Sequence, residues 1–390
     1  MYCRKIAEIS PNYQEGPCVN SQRFQPHSLL TSAHLQTIWS QLTRSKPQVW
    51  RDRERIHTPD GDFLDIDWHV PQVMRKSELR PITAVLFHGL TGSSDSLYVL
   101  GLQKALGRVG ISSVAMNFRG CSGTPNWLPR GYHSGDTGDV ELVIQHVRRR
   151  FPDHFIAAVG YSMGGNALCK WFGEQQDDAC ADAGVIVSAP FDLVACANHM
   201  DEGISRIYRN QLVGECLEYI AAKKRMFHFL SQRNGHQEPW RSRYEQLEAL
   251  GDEATIAGIK SFWDFDRIVT APLHGFSSAQ DYYEKSSAKY FLPKVTRPLW
   301  VIHSRDDPFM PESSAPSAEG CPANVRLDVS TGGGHLGFIS EQLTAGLQGH
   351  IPALRRSSFW LEEVIPQWIE QQATEQPHSS ETSPGAAAAP

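Results

Sequence analysis

Three residues stand in a chain order suited to nucleophilic acyl transfer: Ser162, an aspartate at 306 or 307, and His335. A serine hydroxyl is a poor nucleophile near neutral pH. It needs an imidazole to take its proton and a carboxylate to hold that imidazole in one tautomer. Ser162 lies in Gly160-Tyr161-Ser162-Met163-Gly164, directly after the apolar run His154-Phe155-Ile156-Ala157-Ala158-Val159. A strand that ends in Gly-x-Ser-x-Gly can form a nucleophile elbow, a strained strand-to-helix turn that exposes the hydroxyl and leaves no room for flanking side chains. At average Gly and Ser usage a chain of this length shows the pentapeptide by chance roughly one time in eight, so its setting has to decide.

The setting supplies an acid and a base at strand ends. Arg305-Asp306-Asp307-Pro308-Phe309-Met310-Pro311 follows the apolar run Leu299 to His303, and Gly332-Gly333-Gly334-His335 follows Val325 to Val329. Aspartate before proline is also what a plain turn uses, and a chain with 16 histidines holds stray ones. Order, placement and the three glycines together favour chemistry, because glycines let backbone pass close to a reacting centre and aim the imidazole over a sheet. The Asp-Pro-x-x-Pro spacing favours Asp307 as the acid, with Asp306 as the near alternative. An oxyanion also needs donors, and the expected ones are the backbone amides of Met163, after the nucleophile, and of Leu90, in the turn His88-Gly89-Leu90-Thr91-Gly92-Ser93. His57 and Asp62 match a His-x4-Asp acyltransferase pattern by spacing alone, and their place in a hairpin at the sheet edge makes that match a coincidence.

These side chains need a parallel sheet to bring them together. Short, mostly apolar runs at 82–87, 111–117, 155–159, 184–187, 299–303 and 325–329 read as strands covered on both faces. Segments 55–58 and 63–68 flank the turn Pro59-Asp60-Gly61-Asp62 and read as an antiparallel hairpin at one edge. Helices are expected at 96–108, 138–150, 165–172 and 359–371, and in the second of these Val140, Val143, Ile144 and Val147 form a stripe toward the sheet. Ligand sites in such sheets lie at the carboxyl ends of strands, where Ser162, Asp307 and His335 all fall. The expected division is an arm packed on the core at 1–54, a core at 55–190 and 297–372, an inserted helical cap at 191–296, and a disordered tail rich in Ala, Pro, Ser and Glu at 373–390.

Composition excludes several classes. The formal charge of -6 leaves no electrostatic footprint for nucleic acid. Eight cysteines without Cys-x-x-Cys pairs or matching histidine spacing suit a reducing compartment and no zinc. No organic cofactor is implied. The start lacks the apolar stretch of a secretory signal, and no window reaches the ~18 apolar residues of a membrane span, so a cytoplasmic location is expected. Oligomeric state has no linear signature.

At these residues the chain resembles the α/β-hydrolase superfamily, and within it the YheT-like group that includes ABHD1/ABHD3-type lipid hydrolases and yeast ethyl-ester synthases. The likeness covers roughly residues 24–370. It rests on Phe24-Gln25-Pro26, His34-Leu35-Gln36-Thr37-Ile38, His88 to Ser93, Asn117-Phe118-Arg119-Gly120, Gly160 to Asn166, Phe265-Asp266 with Thr270-Ala271-Pro272 and Gly275-Phe276, and Asp306-Asp307-Pro308-Phe309. The resemblance implies the α/β-hydrolase fold, Ser162, Asp307 and His335 as the triad, and carboxylic-ester or lipid-acyl substrates. Eukaryotic members carry a membrane anchor before the arm; no stable anchor is expected here, and peripheral lipid contact stays open. The expected function is a serine carboxylic-ester hydrolase acting on short- to medium-chain acyl or lipid esters through a Ser-Asp-His triad and an acyl-enzyme. The alternatives are acyl transfer to an alcohol and a non-catalytic small-molecule-binding protein of the same fold.

Overall fold

In the computed structural model the described residues are 23–71, 79–233, 238–341 and 357–375. Eight strands form one sheet: β1 (Asp52–His57), β2 (Phe63–His69), β3 (Ile82–Phe87), β4 (Ser112–Asn117), β5 (Phe155–Tyr161), β6 (Ala183–Val187), β7 (Leu299–Ser304) and β8 (Val325–Ser330). Their order across the sheet is β1-β2-β4-β3-β5-β6-β7-β8. β1 and β2 pair antiparallel at one edge, β2 meets β4 antiparallel, and every later pairing is parallel. β3 to β7 are buried along their whole length, so they read as mostly apolar runs where an alternating one would mark a solvated face, with polar residues at the ends of β4 and β7.

The helices in chain order are α1 (Ala33–Thr43), α2 (Leu97–Arg108), α3 (Thr137–Arg150), α4 (Met163–Gln175), α5 (Leu193–Met200), α6 (Ser205–Ser231), α7 (Trp240–Glu248), α8 (Glu253–Ala257), α9 (Phe262–Phe265), α10 (Ala271–His274), α11 (Ala279–Ser286) and α12 (Trp360–Glu375). Two cores flank the sheet. On one face the stripe Val140, Val143, Ile144 and Val147 of α3 packs with Leu168, Trp171 and Phe172 of α4. On the other, Val99, Leu102 and Leu106 of α2 join Trp360, Ile365 and Trp368 of α12. Helices α5 to α11 fill the interval between β6 and β7, which holds no strand among the described residues. No helix among the described residues is long and apolar enough to cross a membrane.

Some boundaries differ from the sequence reading. β1 starts at Asp52, inside the stretch expected as arm, because Asp52, Arg53 and Glu54 continue the ladder opposite Trp68, Asp67 and Ile66. α12 continues through Glu375, so the first three residues of the expected disordered tail at 373–390 are helical, and 376–390 lie outside the described residues. Residues 1–22 of the expected arm lie outside them too. α4 begins at Met163, two residues before its expected start, which leaves Ser162 alone between strand and helix. A small antiparallel pair, β9 (Ile339–Glu341) with β10 (Ser357–Phe359), was not expected; three residues per strand are too few to show a period.

Candidate active site

The elbow is built by close backbone packing. Ser162 has φ 52° and ψ -122°, a conformation that L-residues avoid and that persists only when the surroundings enforce it. Here the enforcement is visible. The Ser162 amide donates to the Val187 carbonyl at 2.8 Å. A Cβ on Gly160 would lie 2.6 Å from the Gly164 carbonyl oxygen, and one on Gly164 would lie 2.7 Å from that of Phe87. Neither backbone has room to yield, so both glycines are required by contact, and the second lets the start of α4 sit directly against the end of β3.

The three chemistry-bearing side chains meet. His335 Nε2 lies 3.0 Å from Ser162 Oγ, and His335 Nδ1 lies 2.8 Å from Asp307 Oδ2. Asp307 is 3% exposed and His335 8%. The Phe309 amide donates to Asp307 Oδ1 at 2.8 Å, so the turn after β7 fixes the carboxylate, and the Phe309 ring stacks on the imidazole at 4.0 Å between centroids. Asp306 is turned elsewhere. Its Oδ1 accepts from the Gly334 amide at 3.0 Å and from the Ser304 hydroxyl, so it fastens the glycine loop and does not touch the imidazole.

The loop after β3 runs alongside. A Cβ on Gly89 would lie 3.1 Å from Ser162 Cβ, which places this peptide against Ser162. The fully buried His88 controls its direction. The Phe118 amide donates to His88 Nε2 at 3.1 Å, so the ring proton belongs on Nδ1, where it donates to the Gly89 carbonyl at 2.7 Å. Burial pushes His88 down to about 4 despite the Gly89 carbonyl, which keeps the ring neutral in this role. The Gly92 amide donates to the same carbonyl at 3.1 Å. In a trans peptide C=O and N–H point opposite ways, so holding the Gly89 oxygen turns the Leu90 amide away from His88. Leu90 and Met163 both line the cavity over Ser162, and among the described residues neither amide donates to another group.

Sequence reasoning missed the residues that brace this loop. Tyr98 Oη accepts from the Gly89 amide at 2.9 Å and Tyr132 Oη from the Thr91 amide at 3.0 Å. Asn117 accepts from the Ser94 amide at 2.9 Å and donates to the Asp65 carbonyl and Asp67 carboxylate, both at 2.9 Å. Only the presence of Asn117 in a family motif pointed to it. Arg119, two residues on in that motif, is buried in contact with Asp139, Asp60 and Asp62 and ties the β1–β2 turn to α3. Asp62 accepts from Arg119 and from the Trp127 amide, so the His57–Asp62 pattern is structural.

A cavity of about 1080 Å³ lies over Ser162. Its walls come from α1, the turns after β3 and β5, the start of α12 and the interval between β6 and β7, including Leu193, Ala197, Met200, Ile220 and Val269. Asn166 of the elbow helix secures that interval, donating to the Ser134 and Ser286 carbonyls at 2.8 and 2.7 Å and accepting from the Ala288 amide at 2.9 Å. Among the described residues no cluster of His, Cys, Asp and Glu could hold a metal ion.

The family model described as alpha/beta hydrolase fold matches residues 84–342. YheT of Escherichia coli (strain K12), named as an esterase, is 36% identical over 352 residues, covering 90% of this chain and 94% of its own. The phospholipase ABHD3 of Bos taurus is 28% identical over 385 residues, covering 95% of this chain and 86% of its own. The monoacylglycerol lipase of Saccharomyces cerevisiae is 26% identical over 300 residues, 74% of this chain and 60% of its own.

Proposed function

For a chain that belongs to the α/β-hydrolase family, in its esterase- and lipase-type branch, we propose a serine carboxylic-ester hydrolase that works through an acyl-enzyme on Ser162. Ser162 Oγ attacks the ester carbonyl as His335 Nε2 takes its proton, and Asp307 holds the imidazole and stabilises the imidazolium that forms. The oxyanion develops toward the Leu90 and Met163 amides. His335 then gives its proton to the departing alcohol. Water, deprotonated by the same nitrogen, attacks the acyl-enzyme and releases the acid. No metal or organic cofactor enters this sequence.

One observation carries the reading: a single imidazole within hydrogen-bond reach of Ser162 Oγ at 3.0 Å and of Asp307 Oδ2 at 2.8 Å. The cavity volume, at the upper end of ordinary small-ligand sites, supports esters with a sizeable acyl group, accepted by the apolar walls from α5, α6 and the turn before α10. On this reading the interval 191–296 is a cap that shields the acyl-enzyme from bulk water. The same reading places the enzyme in the cytoplasm, where thiols such as Cys169, Cys196 and Cys216, buried and unpaired here, stay reduced. Replacing Ser162 by Ala should abolish both hydrolysis of p-nitrophenyl esters and labelling by a fluorophosphonate. Labelling that survives in Ser162→Ala refutes it.

A further inference from the structure

We propose that α1, and in it the pair Gln36 and Thr37, is a positioning element for His335, a role that rests on the esterase reading above. The loop that carries His335 is strained: Gly333 and Gly334 have φ 145° and 56°, and two non-glycine residues, Leu336 and Phe338, have φ 61° and 42°. Such a loop keeps its shape only where the surroundings over-determine it. β8 ends at Ser330, and beyond it the loop holds itself through the Phe338 N–H to the Gly333 carbonyl at 3.0 Å and the Ser330 hydroxyl to the Gly332 carbonyl at 2.6 Å. Asp306 fastens the loop at Gly334, and the bracing at His335 and Ile339 comes from about 300 residues earlier in the chain.

Thr37 Oγ1 donates to the Ala33 carbonyl at 2.8 Å, which leaves its lone pairs for the His335 amide, received at 2.9 Å. Gln36 is fully buried and treats Ile339 as a neighbouring strand would. Its Oε1 accepts from the Ile339 amide at 2.7 Å, and its Nε2 donates to the Ile339 carbonyl at 3.0 Å and to the Leu30 carbonyl at 2.7 Å. The contact is backbone-close. A Cβ on Gly334 would run into the Ala33 carbonyl and lie 2.7 Å from Thr37 Oγ1, and one on Gly337 would run into the Gln36 carbonyl and lie 2.6 Å from its carbon. The glycines before and after His335 therefore let a helix lie against the loop as well as freeing the loop's backbone. His335 is held through its backbone by α1 and through its ring by Asp307 and Phe309, so both the origin and the direction of the imidazole are set.

The test uses Thr37→Val, which keeps the shape and removes the acceptor, and Thr37→Ser, which restores it. With p-nitrophenyl ester, Thr37→Val should lower kcat about tenfold, the worth of one orienting hydrogen bond, with KM changed less than twofold and fluorophosphonate labelling slowed in parallel. Thr37→Ser should stay within about twofold of wild type. Leu35→Ala, on the half-exposed side of the same helix, should leave kcat unchanged. Gln36→Met, which removes three hydrogen bonds at similar length, should lower kcat further and serves if Thr37→Val does not fold; rates are compared among variants that elute as wild type and melt cooperatively. A folded Thr37→Val or Gln36→Met with wild-type kcat overturns the proposal. So does a Thr37→Ser as slow as Thr37→Val, which would assign the effect to the methyl group. A wild-type protein that labels at Ser162 while these variants match it removes only the role of α1; one that neither labels nor hydrolyses removes the esterase reading and this role with it.

Discussion

Replacing His88 by Leu tests whether a neutral histidine sets the direction of the Leu90 amide. The substitution removes the donor to the Gly89 carbonyl at 2.7 Å and the acceptor for the Phe118 amide at 3.1 Å. The carbonyl keeps the Gly92 amide, but the buried Phe118 amide is left unpaired, which costs about 1–3 kcal/mol. Adding the lost Nδ1–H bond gives a loss of about 2–4 kcal/mol at pH 7. The histidine also couples stability to pH. Its pKa in the folded chain is lowered from 6.5 to about 4; the folded state then binds fewer protons than the unfolded state between those values. Its contribution is complete above pH 6.5 and is lost as pH falls through 4, in all about 3 kcal/mol. Urea unfolding of both proteins at pH 7 and pH 4 should therefore show the gap between them shrinking by about 3 kcal/mol at the lower pH. In parallel, kcat at pH 7 should fall about 10²- to 10³-fold with little change in KM, the cost of losing one oxyanion donor. A variant with kcat within threefold of wild type, or a stability gap equal at both pH values, refutes the reasoning.

Two further outcomes follow from the same geometry. Asp307→Asn should lower kcat by about 10⁴ while the protein stays folded, whereas Asp306→Asn, which perturbs only the bonds to Gly334 and Ser304, should lower it by about tenfold or less; steady-state kinetics on the two variants decides between the carboxylates. Lys223 of α6 is fully buried, and desolvation pushes it down to about 7; because the folded value lies below the ordinary 10.5, stability should rise by about 3 kcal/mol from pH 7 to pH 10 through this group, and denaturant unfolding of Lys223→Met should lack that rise.

β3, β5, β6 and β7 were legible because each is buried on both faces and so appears as a short, mostly apolar run between turn signals; β8, expected to be covered on both faces, is only half-buried beyond Val325. Which of the two aspartates faces His335 was legible for a local reason: Pro308 follows Asp307, in a turn that presents the Asp307 carboxylate, and not that of Asp306, to the imidazole. The function of Asp306 was not legible, since its partner Gly334 is 28 residues away. The same limit hid the arm. His34 to Ile38 stood out only through resemblance, because the bonds of Gln36 and Thr37 reach residues 303 and 298 positions further on, and no local period records such a contact. His88 was passed over as part of a glycine-bearing turn; that it is buried and neutral depends on Phe118, which arrives from the next strand in sequence.

The distribution of backbone strain ties these pieces together. Among the described residues the non-glycine positions with positive φ are Thr91, Ser162, Gln176, Ser188, Leu336 and Phe338. All but Gln176 follow the carboxyl ends of strands: Thr91 after β3, Ser162 after β5, Ser188 after β6, and Leu336 and Phe338 after β8. Each such residue costs about 1–3 kcal/mol, and a net stability of 5–15 kcal/mol is typical of folded proteins, so this edge of the sheet consumes an appreciable share of the fold's margin. The braces are correspondingly specific: the Tyr132 hydroxyl on Thr91, the Val187 carbonyl on Ser162, and α1 across the segment from His335 to Ile339. Three of these five strained positions lie in the two turns that carry Ser162 and His335. On the proposed esterase reading, strain of this kind fixes donors and acceptors before substrate arrives, so that no reorganisation is required as charge develops on the ester oxygen.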